Sequence, residues 1–229
     1  MIVVIGSPVA QPTVAGLEAG GLAAAVAHAA AGLGSAVQVV GRVGEDAAGD
    51  AILLALAAAG VDHVAVLREP GRPTPSAPPQ PGLPASPDGP VLGEAMLEDD
   101  EAPGDAGTDD EDTTLDGLTM DAADLDLALR YLPDYRVVVL AADLDPAALA
   151  TVAAAAGWAG AHLVALVATG SDGSALPTDA TVLERPTSDP DGAFARLVAT
   201  FAAALDRGVE PATAFSEASG GAGWAPVPN

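Results

Sequence analysis

The chain has 229 residues, half of them hydrophobic, with eight basic residues against 32 acidic ones and no cysteine. A net charge of −24, with every cation an Arg, argues against a nucleic-acid partner, because displacing counterions from a polyanion needs clustered Lys and Arg. The absence of cysteine rules out disulfides, thiolate metal sites and a Cys nucleophile.

The elements then follow in chain order. Met1–Gly6 is a short, continuous apolar run of the kind buried on both faces of a parallel sheet, and it lacks the basic start of a signal peptide. Gly20–Leu33 is rich in small helix formers and stops at Gly34, and Ala36–Val40 is a second apolar run closed by Gly41-Arg-Val-Gly44. Asp46–Ala59 predicts a helix with Ile52, Leu53 and Leu56 as core candidates, and Val61–Leu67 predicts another strand. Residues 70–117 break this rhythm. A Pro-, Gly- and Ser-rich stretch passes into an acidic run without basic residues, which predicts a mobile or disordered insertion in a single domain spanning 1–229.

Beyond the insertion the alternation resumes. Met120–Leu132 predicts a helix capped by Thr119, Arg136–Ala141 a strand, Pro146–Ala156 a helix with Pro in its first turn, and His162–Ala168 a strand. A Gly/Ser/Pro/Asp stretch leads to helices over Pro190–Arg207 and Pro211–Ser219. This alternation predicts an α/β fold with a mostly parallel sheet. No apolar run reaches the roughly 20 residues needed to span a bilayer, so the expectation is a cytoplasmic protein without a membrane partner.

Residues 20–34, Gly-Gly-Leu-Ala-Ala-Ala-Val-Ala-His-Ala-Ala-Ala-Gly-Leu-Gly, and 39–50, Val-Val-Gly-Arg-Val-Gly-Glu-Asp-Ala-Ala-Gly-Asp, resemble the N-terminal signature of PfkB/ribokinase-family carbohydrate kinases. Ala57–Asp62 and Arg72-Pro-Thr74 continue the pattern in order, and Leu118–Val167 and Gly192-Ala-Phe194 resemble later sections. The resemblance implies a ribokinase-like three-layer fold with a mostly parallel central sheet, shortened in its C-terminal half, and a family activity that phosphorylates sugars or nucleosides with ATP and Mg²⁺. Such transfer needs N–H donors aimed at phosphate and a carboxylate beside the acceptor hydroxyl, which the family supplies from a Gly-Ala-Gly-Asp turn at a helix N-terminus.

The matching turn here is Thr187-Ser-Asp-Pro-Asp-Gly-Ala-Phe194, with Gly192 at the position of the catalytic Asp. Pro190 removes a donor, Asp189 and Asp191 add negative charge, and Asp191 is the candidate for a displaced base. The capping alternative has Ser188 or Asp189 closing a helix that starts at Pro190. On the sugar side, Gln11 stands at the family's Asp position and Ala25 at its Asn position, while Gly20 and Gly21 retain the backbone turn. These substitutions point to a catalytically impaired protein with a metabolite- or protein-binding role and no certain cofactor. The alternatives are an active sugar or nucleoside kinase using Asp191, ATP and Mg²⁺, and an interaction module or homodimer whose acidic loop meets a basic partner. His28, His63 and His162 are too scattered for a triad, Glu98–Asp112 lacks EF-hand spacing, and Trp158 and Trp224 read as core or edge packing.

Overall fold

A computed structural model describes residues 1–14, 16–77, 118–170 and 175–221. The acidic stretch, Trp224 and most of the 70–117 insertion lie outside the described residues. Eight strands and six helices are assigned within them. The strands are β1 (Ile2–Ile5), β2 (Val9–Thr13), β3 (Gly16–Gly20), β4 (Val37–Gly44), β5 (Asp62–Glu69), β6 (Val137–Leu140), β7 (His162–Ala168) and β8 (Thr181–Arg185). The helices are α1 (Gly21–Gly32), α2 (Ala47–Ala58), α3 (Ala122–Tyr131), α4 (Pro146–Ala159), α5 (Ala193–Asp206) and α6 (Pro211–Gly221).

Six strands form one sheet in the order β5-β4-β1-β6-β7-β8, and every pairing in it is parallel. The two central strands, Ile-Val-Val-Ile and Val-Val-Val-Leu, are buried along their whole length. Their side chains alternate between the faces, as a period of two requires. Ile2, Val4, Val137 and Val139 join the core under α1, α2, α5 and α6, whereas Val3, Ile5, Val138 and Leu140 join the core under α3 and α4. The result is a three-layer α/β fold. Alanine-rich helix faces bury little area per residue but allow close approach, and α5 carries the larger anchors Phe194, Leu197 and Phe201 into the same core.

Several boundaries differ from the sequence expectation. Gly41–Gly44 does not close β4 but continues it, because the stretch pairs with Val66–Glu69 of β5. Asp121, not Thr119, caps α3: the helix begins at Ala122, so the Asp121 carboxylate accepts from the Ala123 and Asp124 N–H groups, both at 2.9 Å. The antiparallel β2–β3 hairpin and the edge strand β8 were not foreseen. The helix expected from Pro190 starts at Ala193, since Gly192 adopts left-handed φ 62°, ψ 24° and interrupts it. Trp158 is not core: it lies on α4, 92% exposed.

Candidate functional site at the carboxyl edge of the sheet

From β1 the chain builds outward through α1, β4, α2 and β5, and then returns to the other side of β1 to add β6, β7 and β8. Strand order therefore reverses between β1 and β6. In open parallel sheets the crevice beyond the strand ends at such a reversal is where ligands bind. A cavity of about 350 Å³ lies there. The ends of β1 and β6 supply Ile5, Gly6, Ser7 and Ala141–Asp143, and the hairpin supplies Val9. Leu22 of α1 and the segment Leu118–Met120 complete most of its lining.

Two polar knots hold this edge together. Ser7 Oγ donates to the Leu118 carbonyl at 2.6 Å and accepts from the Arg42 N–H at 3.0 Å, tying β1 to β4 and to the approach to α3. The Arg42 guanidinium then pairs with Glu69 of β5 at 2.9 Å and with Asp124 of α3. In the second knot the Asp46 carboxylate accepts from Gly49 N at 2.8 Å, Thr74 N at 2.7 Å and Thr74 Oγ1 at 2.6 Å. Thr74 Oγ1 in turn accepts from Gly44 N at 2.9 Å. Partial burial pushes the Asp46 carboxyl up, but its hydrogen bonds from Thr74, Gly49 and Ala48 outweigh this and hold it below the usual carboxylate range. A Cβ on Gly49 would lie 2.2 Å from the Gly44 carbonyl oxygen, so this close approach requires glycine. The segments 39–50 and 72–74, read in the sequence as one signature, thus meet as a structural clasp.

The residues at the sugar-side positions divide. Gln11 of β2 lies against Gly20 at the end of β3, where a Cβ on Gly20 would come within 2.7 Å of the Gln11 Cβ. Gly21 follows at φ 84° beside Val9. Ala25, one turn into α1, packs against the hydrophobic core. Neither Gln11 nor Ala25 lines the 350 Å³ cavity.

The phosphate-side turn leads into α5. Asp206 at the other end of this helix accepts from the Met1 ammonium at 2.6 Å, beside the start of β1. Helix α5 therefore runs antiparallel to β1, and its N-terminus faces the carboxyl edge of the sheet. Two of the donors there are occupied by a side chain: Asp189 Oδ1 accepts from Phe194 N and Asp189 Oδ2 from Ala195 N, both at 3.0 Å. Gly192 N donates to the Asp189 carbonyl at 3.0 Å. Asp191 is exposed, and its carbonyl accepts from Arg196. An internal carboxylate thus sits on the second and third N–H groups of α5, where the positive end of a helix attracts an anion. With those donors taken and the local charge negative, this turn does not fit a nucleotide phosphate as it stands.

His28 is a separate case. Burial pulls its imidazole below the ordinary value of 6.5, with Glu18 opposing, and its Nε2 is buried without a hydrogen-bond partner. His162 is exposed and His63 is half-buried, and the three histidines stand on different elements.

The architecture is that of the ribokinase-like fold. An Escherichia coli protein described as ribokinase II superposes with TM-scores of 0.60 in an apo form and 0.58 in complex with ATP and Mg²⁺, each at 13% identity. The alignments cover 95% of this chain and 90% or 89% of the E. coli chain. An Arabidopsis thaliana ribokinase in complex with ribose and ATP gives a TM-score of 0.54 at 19% identity, covering 96% of this chain and 90% of the other. Residues 6–77 match the family model described as pfkB family carbohydrate kinase. In its fold the chain is ribokinase-like, and in this N-terminal segment it is similar to the PfkB family. No curated protein matches its sequence.

Proposed function

We propose that this protein keeps the carbohydrate-kinase fold as a binding scaffold, takes a small metabolite in the cavity between β1 and β6, and is catalytically impaired. The observation that carries the reading is the Asp189 carboxylate on the Phe194 and Ala195 N–H groups. Phosphoryl transfer consists mostly of positioning and charge stabilisation, so a turn that offers phosphate a carboxylate in place of free donors works against it. The neighbouring Gly192 has no side chain with which to accept a proton from an acceptor hydroxyl. Loss of the side chains expected at positions 11 and 25 is consistent with the same reading.

The test is ADP release from Mg-ATP across a panel of sugars and nucleosides. The expected result is release no faster than in acceptor-free controls. Acceptor-dependent release that disappears in Asp191→Ala would overturn the proposal in favour of a kinase rebuilt around Asp191.

A further inference from the structure

The lining of the cavity says what kind of molecule suits it. Among the described residues its polar side chains are Ser7, Thr119 and Asp143. The Ser7 hydroxyl gives its only proton to Leu118 and accepts from Arg42, so it has no proton left to donate to a ligand. Asp143 is 72% exposed at its side chain and pairs with Arg185 of β8 at 2.5 Å. Thr119 has an interaction partner of its own. Two of the lining amides are committed too: Gly6 N donates to Val40 O and Ala141 N to Ile5 O. The remaining side chains of the described lining are apolar, with Val9, Leu22, Leu118, Met120 and Leu144 drawn from four different parts of the chain.

A polyhydroxylated ligand brings several donors and acceptors that must each find a partner when they leave water. Each one left unpaired weakens binding by about tenfold. We infer that the cavity at the β1–β6 reversal binds a compact, mainly apolar molecule with an aromatic ring or a branched aliphatic body, and discriminates against sugars and nucleosides. This rests on the reading above that the cavity is a metabolite site, and it adds the ligand class. The energetic source is burial of apolar surface in a concave site assembled on strand ends, with few polar side chains among the described lining.

The experiment is a titration of the ¹⁵N-labelled full chain with indole, ribose and adenosine, following the amide signals of Gly6, Ser7, Ala142 and Met120. Indole is expected to shift these signals saturably, and ribose and adenosine are expected to leave them in place. Ala142→Phe should weaken indole roughly tenfold by filling space from a half-buried position, and Ala142→Leu should weaken it less. Ala142→Leu also serves if the Phe variant does not fold. Saturable binding of ribose or adenosine at these amides overturns the inference, as does the absence of indole binding or indole binding indifferent to both substitutions. Ribose binding without ADP release would sink the ligand class and leave the impaired-kinase reading standing, whereas ribose-dependent ADP release would sink that reading.

Discussion

Replacing Asp46 by Ala tests whether the segments 39–50 and 72–74 form one clasp. The substitution removes the side-chain cap on Gly49 N and both bonds from Thr74, whose residue is only 7% exposed and cannot turn to water. A lost aspartate cap costs about 1 kcal/mol. A hydrogen bond to a charged group contributes about 1.5–3 kcal/mol, and partial exposure of Asp46 places its Thr74 bonds at or below the lower end. The expected loss is therefore about 2–4 kcal/mol in urea unfolding at neutral pH. Asp46→Asn adds a second axis. Because the folded value lies below the ordinary aspartate value of 3.8, ionised Asp46 stabilises the fold fully above that pH. The contribution is lost as pH falls through the lower, folded value, so the gap between wild type and Asp46→Asn should close in that window. An Asp46→Ala variant within about 0.5 kcal/mol of wild type would refute the clasp, because that is the scatter of ordinary surface substitutions.

Three further outcomes follow from the same geometry. Gly49→Ala should fail to fold or lose more than about 3 kcal/mol, whereas Gly157→Ala, exposed in α4 with open space at its Cβ, should gain about 0.5–1 kcal/mol by thermal or urea unfolding. The folded state favours neutral His28, so wild-type stability should fall as pH drops below 6.5 towards the lower folded value; urea unfolding of His28→Leu should show a flatter profile across that window. Asp189→Ala should cost about 0.5–2 kcal/mol in unfolding measurements by uncapping α5, and should not create phosphoryl transfer, since Gly192 still has no side chain to act as base.

The sheet was legible in the sequence wherever burial on both faces leaves a continuous apolar run, as in Ile2–Ile5, Val137–Leu140 and His162–Ala168. The hairpin was not, because Val9–Thr13 contains Pro12 and Gly16–Gly20 is bracketed by glycines, so neither shows the expected alternation. Strand β8 escaped for a similar reason: Thr181-Val-Leu-Glu-Arg185 is a half-exposed edge with a single neighbour, and the sequence offers only two apolar residues. At the phosphate-side turn, local sequence offered Ser188 or Asp189 as a cap but placed the helix start at Pro190. The left-handed Gly192 moves that start to Ala193, so Asp189 reaches Phe194 and Ala195 from outside the helix. The cavity could not be read from the chain at all. Its lining comes from strand ends, a hairpin and a pre-helical segment that only the topology brings together, although Ser7 stands beside an expected strand and Met120 within an expected helix.

The account turns on whether the Asp189-occupied turn can support phosphoryl transfer. The most direct measurement is a single turnover with protein in excess over γ-labelled Mg-ATP and a mixture of sugar and nucleoside acceptors, since this reads chemistry without waiting for product release. The predicted result is no label in any acceptor beyond the protein-free control. Label transferred to an acceptor, and lost in Asp191→Ala, would contradict it.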